Sequence, residues 1–183
     1  TKARIKFFVD KIGPQEYRRR LETRLGRPLR DLREPPVPRQ RDFHDGSGPT
    51  RDGRCYQSFA LLGGVTSGRV LQRVAALAEA EGAAIRLSQR QNLILAGIAP
   101  ERLDAVRRQM AGLGFLTEGS LLRRASIACT SDPYCNYALN SSKQLLGALV
   151  ETLEARLGPL EDVVLAVDGC PHACAHHWVG DIG

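Results

Sequence analysis

SGRVLQRVAALAEAEGAAIRLSQRQNLILAGIAPERLDAVRRQMAGLG, residues 67–114, changes its apolar period along its length, and those changes define the fold class. Ser67 can cap a helix on which Val70, Leu71, Val74 and Leu77 face one way. Residues 84–87 and 93–98 suit two strands bounded by polar and glycine residues. Pro100 then opens a second helix, with Leu103, Val106, Met110 and Leu113 at three-and-four spacing and Gly112 and Gly114 as the stop. Residues 56–62 suit a strand ahead of all this. Strand, helix, strand pair, helix is the order of a small α+β sandwich with its helices on one face of the sheet.

On the N-terminal side, residues 26–54 turn to Pro, Arg, Asp and Gly, with Pro35, Pro36, Pro38 and Pro49 breaking regular structure. They are expected to form a connector. Before it, residues 3–9 are dense in Ile, Phe and Val, and residues 14–25 carry Tyr17, Leu21 and Leu25 at helical spacing ahead of Gly26. On the C-terminal side a second unit starts near Leu121. Ile127 and Ala128 lead into Cys129, Ser141 or Ser142 caps a helix carrying Leu145, Leu149, Leu153 and Leu157, and residues 163–167 read as a buried strand ending at Asp168 and Gly169. The chain begins with Thr1 and stops at Gly183 with no obvious closing element after its last cysteines, so a piece of a longer protein is expected.

A chain of 183 residues, 43% hydrophobic, can bury one or two ordinary cores. Its charged fraction of 25% leaves no apolar run approaching the ~18 residues of a membrane span, and no secretory leader is visible. A protein soluble in the cytoplasm, with no membrane partner, is expected. The net charge of +6 could draw an acidic protein or a small anion as well as nucleic acid. Much of it lies in the arginines from Arg18 to Arg41, where base-stacking groups are lacking, so a solvated face or linker is expected and no nucleic-acid partner.

Of five cysteines, four fall in two close pairs: Cys129 and Cys135, separated by Thr-Ser-Asp-Pro-Tyr, and Cys170 and Cys174, separated by Pro-His-Ala. Without secretory features, reduced thiols with ligand or redox roles come before disulfides. Zinc sites space the cysteines of a pair more closely than Cys129 and Cys135 are spaced. A cluster tolerates wider loops because its ligands bind different irons. Spacing therefore favours a cluster over zinc, and both over two disulfides. His172, His176 and His177 crowd the second pair, where they can join a mixed metal site or bond carboxylates and backbone carbonyls. Residues 86–92, Arg-Leu-Ser-Gln-Arg-Gln-Asn, gather groups able to bind carboxylates, the other reading being a solvated hairpin turn.

The two cysteine spacings, the run DGCPHACAHHWVGDIG (168–183) and the segment IRLSQRQNLIL (85–95) together resemble the siroheme-containing nitrite and sulfite reductases. The likeness runs from about Tyr56 to the end, and residues 3–26 look like the tail of that family's first cofactor domain. It implies an α+β fold in which a small ferredoxin-like half-domain packs with a larger siroheme/[4Fe–4S]-binding domain, truncated here at both ends. The implied division is 1–26 for the preceding domain's tail, 27–54 for a linker, 55–118 for the ferredoxin-like module and 119–183 for the cofactor module.

The resemblance further implies that Cys129, Cys135, Cys170 and Cys174 bind a [4Fe–4S] cluster and that Cys174 also bonds the siroheme iron. The reaction implied is six-electron reduction of nitrite or sulfite, fed by ferredoxin or a flavoprotein; the alternative is an iron–sulfur or zinc module without heme. The many carboxylates of siroheme call for cationic and amide partners, for which Arg86, Arg90, Gln91 and Asn92 are the candidates. Arg and Lys groups on the substrate are expected upstream of Thr1. His172 stands where the family commonly has Asn, and Ser142 precedes Lys143 where Thr is usual.

Overall fold

The computed structural model describes residues 4–31 and 45–183, and the chain forms two compact units, 1–41 and 42–183. Residues 32–44 of the expected connector, including Pro35, Pro36 and Pro38, lie outside the described residues.

In the first unit, helix α1 (Ile5–Ile12) is followed at once by α2 (Pro14–Leu25), with Pro14 in the first turn, where its missing N–H is harmless. Phe8 meets Tyr17 edge-on. Arg19 and Arg20 both reach back to Glu16, while Arg18 pairs with Glu22 at 3.0 Å, so the arginines of α2 form a solvated face answered by its own carboxylates.

The second unit begins with a four-stranded antiparallel sheet in the order β1 (Ser47–Pro49), β2 (Cys55–Phe59), β4 (Leu93–Ile98), β3 (Ala84–Leu87). Leu93 and Leu95 of β4 and Phe59 of β2 point to one face. There they meet Val74 and Leu77 of α3 (Gly68–Glu81) and Val106 and Met110 of α4 (Leu103–Ala111). Each such buried side chain contributes about 1.5–3 kcal/mol relative to exposure. The Ser67 hydroxyl accepts from Val70 N–H at 3.2 Å and caps α3 as expected. β1 is unexpected. Its Ser-Gly-Pro sequence has poor strand propensity, but it lies on the edge, where Pro49 needs no ladder partner, and Ser47 pairs with Gln57.

A second core gathers Leu122 of α5 (Leu121–Ala125), Ala128 of β5 (Ile127–Ala128), Leu146 and Val150 of α6 (Ser142–Leu157), and Leu165. Leu62, from the turn after β2, packs into it. The two modules thus share apolar contacts within one unit. β5 pairs in parallel with β6 (Ala166–Val167). The strand expected over 163–167 is shorter than its apolar run because Val164 N–H is taken by the Asp181 carboxylate at 3.0 Å and Leu165 N–H by the Ser126 hydroxyl at 2.8 Å. Ala166 N–H donates to Ile182 O at 2.9 Å, so the tail does return to the sheet as a closing element. The face expected for α6 is also out of phase. Leu146 and Val150 are fully buried, whereas Leu145, Leu149 and Leu157 are exposed. The helix is apolar on adjoining faces, and its rotation is set by Ser142, which is anchored inside at its first turn. No helix among the described residues is long and apolar enough to cross a membrane.

Candidate functional site

The parallel pair β5–β6 brings the two cysteine loops together, since each loop leaves the C-terminal end of one strand. Cys129 N–H donates to Val167 O at 3.0 Å, continuing the ladder. Gly169 N–H then donates to the Cys129 sulfur at 3.1 Å, and Leu139 N–H to Gly169 O at 2.9 Å. A Cβ on Gly169 would lie 2.7 Å from Ser131 Oγ, so only glycine allows this approach of the loops.

The first loop is wound around Ser131, a fully buried serine at positive φ. Its carbonyl accepts from Tyr134 N–H and Cys135 N–H, each at 3.0 Å. Its hydroxyl donates to Asn140 O and accepts from Ser142 N–H at 3.0 Å. Ser142 in turn donates to Cys129 O at 3.1 Å and lies 3.2 Å from the Cys129 sulfur. The second loop is pinned at its base by Asp168. Its buried carboxylate accepts from Ala175 N–H at 2.8 Å and contacts His177 Nδ1 at 2.7 Å, drawing the chain on both sides of Cys170 and Cys174 together. Of the three histidines, His177 is thus engaged by a carboxylate, while His172 places Nδ1 3.2 Å from the Cys170 sulfur and its ring against Tyr137 of the first loop.

All five cysteines are free thiols; Cys129, Cys135 and Cys170 are half-buried, Cys174 is exposed, and Cys55 is half-buried in β2, away from the others in sequence. Among the described residues, no group of three or more His, Cys, Asp or Glu side chains closes around a point able to hold one metal ion. What the structure brings together is the Cys129 thiol with the backbone leading into Cys170. The chemistry of this arrangement fits a cluster. Cys129 receives an amide N–H and has a hydroxyl in reach, the kind of donor environment that stabilises metal-bound thiolate and tunes its potential.

The arginine-rich hairpin between β3 and β4 lies against this region. Arg86 is exposed and pairs across with Ile94, on the opposite side of β3 from the residues paired with the core leucines. Arg90 is held at the tip by its N–H on Ser88 Oγ at 3.1 Å. Gln91 and Asn92 are engaged with backbone. Gln91 bonds both main-chain groups of Ala128, and buried Asn92 accepts from Leu61 N–H at 3.1 Å and donates to Arg124 O at 2.7 Å. A cavity of about 240 Å³ opens between Gly63, Gly64, Leu87, Ser88, Gln91 and Lys143. Lys143 donates to Gly63 O; burial lowers its pKa from the ordinary lysine value, and the charge of Cys129 acts in the opposite direction. Ser131, Asp168 and Lys143 are site residues that the spacing argument does not reach. The one sequence signal for them was their place beside the cysteines or at a helix start.

Residues 48–113 match the nitrite/sulfite reductase ferredoxin-like half domain. Together with the second core, beside which the cysteine loops lie, this gives an α+β fold of two joined parts. The chain belongs to the siroheme-containing nitrite and sulfite reductase family. It is 34% identical to sulfite reductase (ferredoxin) 2 of Mycolicibacterium paratuberculosis over 100% of its own length and 34% of that protein. With the sulfite reductase (NADPH) hemoprotein beta-component of Methylobacterium sp. strain 4-46 it shares 31% identity over 99% of its length and 31% of the relative. The structure of the Mycobacterium tuberculosis NirA protein superposes with a TM-score of 0.75 at 30% identity, covering 95% of this chain and 33% of that one. The chain therefore spans about a third of the length of the curated relatives it matches.

Proposed function

We propose that this chain is the cluster-bearing part of a cytoplasmic enzyme that reduces sulfite or nitrite, with electrons from ferredoxin or a flavoprotein. Sulfite comes first because the curated relatives are named sulfite reductases. Cys129, Cys135, Cys170 and Cys174 are the proposed [4Fe–4S] ligands, and Cys174 also the proposed ligand of the siroheme iron. Such a coupled centre, held by these cysteines, would supply single-electron relay and iron chemistry toward a small anion. The observation that carries this reading is the closure of the two cysteine loops on each other, through Gly169 N–H on the Cys129 sulfur and Leu139 N–H on Gly169 O.

The protein's own groups then have distinct roles. Gly169 N–H is proposed to hold negative charge at the Cys129 sulfur, the Ser142 hydroxyl secures the Cys129 carbonyl, and Asp168 fixes the loop that presents Cys170 and Cys174. Arg86 and Arg90 are proposed to meet siroheme carboxylates, whose burial requires cations. Gln91 and Asn92 are proposed to support the same cofactor edge from a hairpin they secure to Ala128 and Arg124. The proposed division places the ferredoxin-like module at 55–118, joined by β1 (Ser47–Pro49) from the connector, and the cofactor module at 119–183, with the rest of 27–54 as linker and 1–26 as the end of a preceding domain.

Anaerobic reconstitution with iron, sulfide and siroheme, read by absorption and electron paramagnetic resonance, tests the assignment. Cluster and siroheme bands are expected, with Cys174→Ser weakening both and Cys129→Ser losing the cluster first. A colourless protein holding stoichiometric zinc would overturn it, and equal loss of both signals in the two folded variants would remove the bridging role. Steady-state rates of the whole enzyme on sulfite and nitrite then decide the substrate.

A further inference from the structure

β5 has a partner strand on one edge only among the described residues. Ile127 N–H reaches Leu165 O at 2.9 Å and Cys129 N–H reaches Val167 O at 3.0 Å, both toward β6. The peptide groups of Ala128 face the other way, into a partly buried region where an unmet N–H or C=O is unfavourable. They are met by one side chain. Gln91 Nε2 donates to Ala128 O at 2.7 Å, and Ala128 N–H donates to Gln91 Oε1 at 3.3 Å. A primary amide carries a donor and an acceptor side by side, so it can stand in for a neighbouring strand, as no carboxylate, hydroxyl or ammonium can.

The surroundings are shaped around that side chain. Gln91 has φ 62°, a left-handed conformation that L side chains adopt only at a cost. Ser88 Oγ accepts from both Arg90 N–H and Asn92 N–H, at 3.1 and 3.2 Å, and holds the hairpin tip on either side of it. Gly64 leaves room: a Cβ there would lie 2.8 Å from the Gln91 Cβ. The next residue after Ala128 is Cys129, whose carbonyl and sulfur are committed to Ser142 and Gly169.

We infer that Gln91 is a positioning residue for the thiol site: its amide completes the open edge of β5 and thereby sets the direction in which Cys129 leaves the strand. The hairpin of the ferredoxin-like module is then a working part of the cysteine site. The inference rests on the reading of Cys129 as a cluster ligand for its consequence, though not for its geometry. Because the potential of a cluster depends on the hydrogen bonds to its sulfurs, loosening the strand alters the Gly169 N–H contact and with it the potential.

Two variants test this. Gln91→Leu keeps the bulk and removes both bonds. Gln91→Asn keeps the amide and tolerates positive φ well, so it preserves the hairpin, but it is one methylene too short to span the gap. Gln57→Leu is the control, because Gln57 is likewise a side-chain amide of the same module bonded to main-chain carbonyls, Gly46 O and Ser58 O, although it is buried where Gln91 is exposed. Without cofactor, both Gln91 variants should raise amide hydrogen exchange at Ala128 at least tenfold and iodoacetamide alkylation of Cys129 several-fold, while the control changes neither. In the cofactor-loaded protein the cluster should be lost to oxygen several-fold faster and its midpoint potential should move, again only in the Gln91 variants. Unchanged exchange at Ala128, the same changes in Gln57→Leu, or an unaltered potential and cluster lifetime would each overturn the inference. If the unsubstituted protein takes up no cluster, the proposed function fails separately, and exchange with alkylation still decides whether Gln91 positions Cys129.

Discussion

Gly169 donates its main-chain N–H to the sulfur of Cys129 at 3.1 Å, a contact between residues forty positions apart. It holds only while nothing separates the loops. Gly169→Ala would place a methyl group 2.7 Å from the buried Ser131 hydroxyl. The expected outcome is a protein with near-native helical circular dichroism that retains less than half the iron and sulfide of the parent after reconstitution. Full cofactor content in that variant would show that the loops tolerate separation.

Asp168 gathers Ala175 N–H and His177 around the second cysteine pair from a buried position. Hydrogen bonds to a charged group contribute about 1.5–3 kcal/mol each, so Asp168→Ala should release residues 170–177. Limited proteolysis is expected to cut this loop in the variant and spare the parent, with the sheet and α3 left intact. Equal resistance in both would assign the loop's order to other contacts.

Asn92 bridges Leu61 N–H and Arg124 O, and so ties the turn after β2 to α5. Asn92→Ala leaves two backbone groups without their partner, at about 1–3 kcal/mol for each group that stays buried. A lower urea midpoint with an unchanged denaturant slope is expected. A midpoint within error of the parent would mean that water replaces the amide freely.

Glu154 of α6 accepts from Arg123 Nε at 3.0 Å and from the Ser120 hydroxyl, and these bonds, Arg123 first, hold its pKa below the ordinary carboxylate value. A depressed folded pKa means that the stabilisation is present above the unfolded pKa and fades as pH falls through the folded one. Relative to the parent, Glu154→Gln should therefore lower the melting temperature at pH 7, and the gap should narrow as pH falls below about 4.5. A gap independent of pH would place the effect in packing and not in charge.

Much of the ferredoxin-like module was legible because α3, β4 and α4 carry apolar residues at the spacing of their element and Ser67 and Pro100 announce their helices, although Leu71 of α3 and Ile85 and Leu87 of β3 are exposed. α6 was legible as a helix but not in its phase. Leu145 and Leu149 read as well as Leu146 and Val150 do, and only the inward anchoring of Ser142 decides between them. β1 left no trace in composition, since its pairing depends on a partner strand and not on Ser, Gly and Pro. At the site, the cysteine pairs were visible from spacing alone. The engagement of Gln91, Asn92 and Asp168 was not, because their partners are largely main-chain atoms, which every residue carries, some of them more than thirty positions away.

The parallel β5–β6 pair also orders events in time. Cys129 and Cys135 are synthesised long before Val167 and Gly169, the residues that bond Cys129 from the other strand. At a synthesis rate of about 5–20 residues per second, the forty intervening positions take about 2–8 s. The residues of the hairpin carrying Gln91 precede Ala128 in the chain, whereas those that pair with the opposite edge of the strand come last. A nascent chain would thus hold its first two thiols half-assembled, exposed to oxidation or to capture by a metal-delivery protein, until the C-terminal loop arrives.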